Sequence, residues 1–208
     1  MIDNMIQAMD HWAVTDPNRV AYDDLGHTNT YGELKQRSDA LAAHLDHMQL
    51  PAGAPIMVFG GQTFDMMVAF LGVVKSGHAY VPIDTHSPLE RVTTINEIAQ
   101  PAAAIGVADL PTTLGDTPII TAADLQQIWA TPIAYDVTHA VQGDETYYII
   151  FTSGTTGKPK GVQISHNNLL SYVNWMLSDD FALPTAARTL SQAPYSFDSV
   201  SYTHLRAH

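Results

Sequence analysis

A chain of 208 residues with 21 acidic against nine basic side chains carries a net charge of −12, and a surface of that sign repels a phosphate backbone, which excludes nucleic-acid binding as the function. With no cysteine, disulfides, thiolate catalysis and cysteine-based zinc sites are excluded too, and a reducing compartment fits. Residues 1–5 lack the basic and apolar regions of a signal peptide and no stretch approaches the roughly 18 apolar residues of a membrane span, so the expectation is a soluble, cytoplasmic protein without membrane insertion.

Met5, Ile6, Met9, Trp12 and Ala13 share one face of a first helix, and Pro17 lies just past its end. Thr30 and Glu33 form a capping box that opens a second helix, whose Leu34, Leu41, Leu45 and Met48 fall on one side before 50–53 ends it. Residues 56–59 read as a buried strand, Gly60 and Gly61 turn the chain, and Phe64, Met67, Val68 and Leu71 mark the next helix, with Gly77 at its C-terminus. A strand over 79–83 follows. Ser87, Pro88 and Glu90 then combine an N-cap, a first-turn proline and an N3 glutamate for a helix running to Ala99, with Pro101 beyond. Weaker strands are predicted over 102–107 and 117–120, and Thr121 with Asp124 caps a short helix through Trp129. Residues 131–146 are polar and irregular, the place for a subdomain junction. Ser165 caps a helix carrying Leu169, Leu170, Val173 and Leu177, and 188–192 reads as a last strand. Strands alternating with helices predict an α/β fold with a largely parallel sheet.

The chemistry concentrates between an apolar, β-prone run over 147–151 and its resumption over 162–164, so a loop joining two strands is expected there. It reads Thr152-Ser153-Gly154-Thr155-Thr156-Gly157-Lys158-Pro159-Lys160-Gly161. Glycines allow positive φ and close approach to a ligand, the Thr and Ser side chains supply hydroxyls, and two lysines supply charge. That inventory suits a polyphosphate. The Walker A spacing is excluded, because only two residues separate Gly154 from Gly157 and Pro159 follows Lys158.

This segment closely resembles the phosphate-binding loop of the adenylate-forming superfamily. Three further stretches carry the resemblance in order: Thr30-Tyr31-Gly32-Glu33-Leu34; Lys75-Ser76-Gly77-His78-Ala79-Tyr80-Val81-Pro82-Ile83-Asp84; and Ala193-Pro194-Tyr195-Ser196-Phe197-Asp198. The second and third of these point to the amino-acid-activating branch. The residues flanking the loop look most like the free-standing ligases that load D-alanine onto a D-alanyl carrier protein for teichoic acid D-alanylation. The resemblance implies ATP and Mg2+ as cofactors, with D-alanine and the carrier's phosphopantetheine thiol as partners. It further implies that Thr152, Ser153, Gly154, Thr155, Thr156, Gly157, Lys158 and Lys160 hold the β- and γ-phosphates, with Lys160 and Thr152 acting in catalysis. Asp198 would pair with the substrate's α-ammonium; as a residue type it equally suits a turn or cap. An adenylation domain of nonribosomal peptide synthesis and a non-catalytic nucleotide-binding fragment stay open as alternatives.

By the same resemblance, residues 1–198 are the N-terminal part of an adenylation domain, while 199–208 form an atypical tail without an apolar helical face. The adenine-proximal loop, the ribose-binding aspartate, the hinge and the lysine of the C-terminal domain are absent from this chain, so the fragment alone is expected to be inactive. Apolar faces of the 64–76 and 167–178 helices are accordingly expected to lie uncovered. No metal site is expected: His44 and His47 read as surface histidines. His166 reads as a helix start, Trp175 as core, and Tyr31, Tyr80 and Pro82 as structural.

Overall fold

In a computed structural model, residues 1–153, 158–179, 181, 187–191 and 193–196 are described. The centre of the fold is a six-stranded sheet built from β3 (Ile56–Gly60), β4 (Tyr80–Asp84), β5 (Ala103–Gly106), β6 (Ile119–Ile120), β7 (Thr146–Thr152) and β8 (Lys160–Ser165), in the order β6-β5-β3-β4-β7-β8. Neighbours run parallel except β7 and β8, which are antiparallel. Every residue of β3, β4 and β5 is buried, as parallel strands covered on both faces must be, and this is why they read as continuous apolar runs.

The helices divide between the two faces. From β3 the chain passes through α3 (Phe64–Lys75) to β4 on one side, and from β4 through α4 (Leu89–Ala99) to β5 on the other. Right-handed crossovers in opposite directions place their helices on opposite faces. Accordingly Ile56 and Val58 join the core with α3, while Met57 and Phe59 join Val92 and Ile95 of α4. The α3 face also carries α1 (Met5–Thr15), α2 (Tyr31–His47), α5 (Ala122–Trp129) and α6 (His166–Leu177).

The expectation of an uncovered α3 is wrong. Every residue of this helix except Asp65 is buried, because α2 packs on its outer side, closely enough that a Cβ on Gly72 would sit 2.7 Å from Leu41 Cδ2. The N-terminal helices supply the cover that the expectation assigned to missing chain. On α6 the expectation is met in part: Leu169, Val173 and Met176 are buried, whereas Tyr172 and Trp175 stand out, and the Trp175 ring lies tilted against Tyr172 on one side and exposed Phe181 on the other. Trp175 is therefore not core.

Capping explains most boundaries. Thr30 with Glu33 and Thr121 with Asp124 form the expected boxes, and Ser165 makes one with Asn168. Gly77, at φ +80, ends α3, and a Cβ there would lie 2.5 Å from the His139 carbonyl oxygen. Ser87 does not cap α4. Pro88 is the N-cap, without a side-chain bond, and Ser87 instead closes a turn onto the Asp84 carbonyl. A two-stranded hairpin, β1 (Val20–Asp24) with β2 (His27–Thr30), was not expected from the sequence. Its two-residue turn puts both Leu25 and Gly26 at positive φ, where the usual signal is Asn or Asp before the glycine. The expected strand over 188–192 does not form among its described residues.

Candidate active site

The five parallel strands end along one edge of the sheet, at Gly60, Asp84, Gly106, Ile120 and Thr152. Ligands of open α/β sheets bind at such carboxyl edges. Here the expected loop emerges: Thr152 ends β7, Lys160 opens β8, and the two residues are register partners across the antiparallel hairpin. Thr152, Ser153, Lys158 and Lys160 are exposed. Gly154, Thr155, Thr156 and Gly157 lie outside the described residues.

The base of the hairpin is fixed from below. Gly161 faces Phe151, and a Cβ on it would come within 3.0 Å of Ile149 Cγ2 and 3.1 Å of Phe151 Cζ, so the close strand approach requires glycine. Between β4 and β7 the ladder has a single register pair, Tyr80 with Tyr148. Pro82 has no N–H to extend it. The Phe151 carbonyl, immediately before the loop, is taken by a side chain from α4: Arg91 Nη2 donates to it at 2.7 Å. Sequence reading missed Arg91, since its partner is 60 residues away. Pro82, read as merely structural, thus helps open the strand end that Arg91 fills. At the end of β4, Asp84 Oδ1 accepts from the His86 backbone N–H and lies 2.8 Å from His86 Nδ1.

Electrostatically the hairpin mouth differs from the rest of this acidic chain. Lys158 and Lys160 enter no ion pair among the described residues. At an effective dielectric near 20, an ammonium about 4 Å from a phosphate charge gains roughly 4 kcal/mol. Ammonium and hydroxyl groups suit phosphate oxygens, not a bare cation. Among the described residues no cluster of three His, Cys, Asp or Glu could hold a metal ion.

Asp198 also lies outside the described residues. Of the stretch leading to it, residues 193–196 are described: Tyr195 is buried, with its ring edge-on to Phe70 at 5.4 Å, and Phe70 stacks on Tyr80 at 4.2 Å. Gln62, which follows the glycine turn at the end of β3, donates from Nε2 to the Ala193 carbonyl at 2.6 Å. The described residues 193–196 therefore return to the carboxyl edge from which the 152–161 loop emerges.

His166 stands at the opposite end of β8. It is buried and opens α6, as expected of a helix start, and its Nε2 accepts from the Met5 N–H at 3.2 Å. Burial holds its pKa below the usual value. Its ring is turned to α1 and not to the loop. Tyr31 is half-buried, and burial raises the pKa of its hydroxyl; Tyr80 is packed between Phe70 and Tyr148. His44 and His47 are exposed.

Comparison with known proteins adds to this geometry. The sequence model of a family described as AMP-binding enzyme matches residues 9–205. The D-alanine–D-alanyl carrier protein ligase of Lactiplantibacillus plantarum is 67% identical over 198 residues, covering 95% of this chain and 39% of that protein. The ligase of the same name from Streptococcus pneumoniae is 52% identical over 203 residues, 97% of this chain and again 39% of the relative. Among solved structures, a nonribosomal peptide synthetase superposes with a TM-score of 0.81 at 25% identity, over 97% of this chain and 21% of that one. The chain thus spans 39% of the length of these two ligases.

Proposed function

The chain belongs to the AMP-binding enzyme family, and on that premise we propose that it is the N-terminal part of an ATP-dependent ligase that activates D-alanine and passes it to the phosphopantetheine thiol of a D-alanyl carrier protein in the cytoplasm, for teichoic acid D-alanylation. The observation that carries this reading is the pairing of Thr152 with Lys160 at the mouth of a hairpin on the carboxyl edge of the sheet. The 67% identity to a ligase of that name supports the choice of substrate.

In the first half-reaction a D-alanine carboxylate oxygen attacks the α-phosphorus of ATP, the bond from that phosphorus to the bridging oxygen breaks, and pyrophosphate leaves. Negative charge grows on the departing phosphates. Lys158, Lys160 and the hydroxyls of Thr152, Ser153, Thr155 and Thr156 meet it, and such groups act by binding the transition state more tightly than the ground state. Mg2+ would arrive bound to the phosphates, as is usual for substrate-borne magnesium, and would supply further neutralisation. Asp198 would hold the α-ammonium by a charge-assisted hydrogen bond. In the second half-reaction the carrier thiol sulfur attacks the acyl carbon and AMP departs. Residues 199–208 stand outside this working part.

The test is a chimera in which residues 1–198 replace the matching part of the L. plantarum ligase. D-alanine-dependent ATP–pyrophosphate exchange is expected. Lys160→Ala should slow it about 10-fold or more, the scale of 1.4 kcal/mol of transition-state stabilisation, and an unchanged rate would remove Lys160 from the site. Asp198→Ala should raise the KM for D-alanine and leave that for ATP unchanged. The likeness to a peptide synthetase favours a second reading, adenylation in peptide synthesis. A panel of D- and L-amino acids and simple acids separates the two: preference for L-amino acids selects the second reading, and preference for simple acids takes Asp198 out of the site.

A further inference from the structure

We propose that the aromatic face formed by Tyr172, Trp175 and Phe181 is an internal interface of the complete ligase, covered by an apolar surface from the part of that enzyme which these 208 residues do not span. The proposal rests on the reading of the chain as the N-terminal part of the ligase. Tyr172 and Trp175 are three residues apart and so stand side by side on the outer side of α6. The Ser178 N–H and Oγ both donate to the Trp175 carbonyl, at 3.1 and 2.7 Å, and the Phe181 N–H donates to the Ser178 carbonyl at 3.2 Å. These turns bring Phe181 back onto Trp175. The two ring centroids are 5.1 Å apart, and Tyr172 lies 5.8 Å from the same tryptophan. Ordered in this way, Tyr172, Trp175 and Phe181 are still 37%, 48% and 45% exposed.

Composition separates this face from the rest of an acidic surface. α6 has no Asp, Glu, Lys or Arg in its 12 residues, whereas α4, of similar length, turns Glu90 and Glu97 to solvent. The first charge after α6 is the exposed Asp179. Single exposed apolar residues are ordinary, but a contiguous aromatic patch with charge kept to its margin is the composition of an interface. The sheet edge next to it is bare as well. β8 is the last strand of the sheet, and its Val162, opposite Ile150 of the core that α6 joins, is 46% exposed. Directly opposed residues of an antiparallel pair share a face, so Val162 stands on the α6 side.

Two facts select the occupant. This chain covers only 39% of the two ligases compared above, so each has more sequence outside the matched part than inside it. Tyr195, beside the last described residues, joins the same core as Leu169 and Val173 of α6; the described chain therefore leaves off on the face of the sheet that carries the aromatic patch. The covering surface sets no unpaired charge against Trp175, because burying one there is costly.

The test is oxidative labelling of tryptophan, read by mass spectrometry, in the 208-residue chain and in the L. plantarum chimera. Trp175 should be labelled at least about fivefold less in the chimera, as a residue at the core of an interface is, with Trp12 labelled equally in both. Equal labelling of Trp175 would overturn the proposal. So would protection that grows with the concentration of the 208-residue chain alone, which assigns the face to a second copy, and protection of the chimera that needs added carrier protein. Trp175→Glu gives a second arm: it should shorten the survival of the chimera in trypsin several-fold and leave that of the 208-residue chain within about twofold, since only the chimera forces the charge into a covered face. The same change in both proteins would overturn the proposal too. Protection without D-alanine-dependent exchange removes the proposed function and keeps the interface, whereas exchange without protection removes the interface and keeps the function.

Discussion

Two settings of lysine stand at opposite ends of the parallel sheet. Lys75, in the last turn of α3, is fully buried, and its ammonium donates to Asp10 Oδ1 at 2.7 Å, Asp39 Oδ1 at 2.5 Å and Ser38 Oγ at 3.0 Å. Each of its three N–H donors has an acceptor. Lys35 adds a second cation on Asp39, the Tyr135 hydroxyl donates to Asp10 Oδ2, and the Tyr135 ring lies 4.8 Å from Lys75 Nζ. Burial first, and then the charge of Asp10, push the pKa of that hydroxyl up. Lys158 and Lys160, at the carboxyl edge, are exposed and unpaired among the described residues. A lysine whose charge its own protein neutralises ties helices together. One left unneutralised is available to a ligand.

That contrast can be broken most directly at Lys75. Lys75→Met leaves Asp10 and Asp39 with Lys35 as their only ion-pair partner among the described residues, and removal of one partner from a buried ion network costs about 3–5 kcal/mol. A single domain has only about 5–15 kcal/mol of stability in all, so urea denaturation should show a large loss or a failure to fold. Lys158→Ala and Lys160→Ala should each shift the same transition by no more than about 0.5 kcal/mol. If the surface substitutions destabilised as much as Lys75→Met, the division would collapse.

The next largest effect sharpens the functional end. Arg91→Met removes the donor that holds the Phe151 carbonyl at the base of the β7–β8 hairpin. An unsatisfied buried acceptor costs about 1–3 kcal/mol. In the L. plantarum chimera the KM for ATP should rise several-fold with that for D-alanine unchanged. Gly161→Ala should act on the same hairpin base, because the added methyl meets Ile149 and Phe151 near 3 Å, and overpacking of that kind costs about 1–3 kcal/mol. Equal effects on both substrates would show that Arg91 supports the fold in general.

What the sequence made legible follows the range of the interactions. Thr30 with Glu33 and Thr121 with Asp124 act within one helical turn and could be read directly, as could the apolar runs of β3 and β4. Ser87 shows how a local signal loses to a competing one, since the turn onto Asp84 takes its backbone and leaves Pro88 as the cap. The β1–β2 hairpin was hidden by a leucine in a left-handed turn position. Residues 188–191 carry strand-like side chains, but their described anchors are Gln62 to Ser191 and an ion pair between Arg188 and Asp23 at 2.6 Å. Arg91, Gln62 and Lys75 each act on a partner at least 36 residues away. No pattern of spacing shows such pairs; the loop at 152–161 stands out in the sequence because its glycines, hydroxyls and lysines suit a polyphosphate and because the segment resembles a known phosphate-binding loop.

The smallest effect tests whether the buried end is closed to protons as well as to ligands. His166 accepts from the Met5 N–H through Nε2, so its proton sits on Nδ1, and Tyr147 lies beside the ring at 6.0 Å between centroids. Glu145, whose carbonyl accepts from the His166 N–H, is the nearby charge that favours protonation, but burial outweighs it and holds the pKa below 6.5. Between the folded pKa and 6.5 the unfolded chain therefore binds more protons than the folded one. Stability due to His166 is complete above pH 6.5 and is lost as the pH falls through that window, with a slope of at most about 1.4 kcal/mol per pH unit for one group. Protonation at Nε2 would also set a donor against the Met5 N–H and loosen α1 from α6. His166→Gln keeps an acceptor and cannot titrate, so urea midpoints of the 208-residue chain measured from pH 7 down to 5 should fall less steeply in this variant than in the parent. Parallel curves would mean that His166 does not contribute to the acid sensitivity of the buried end.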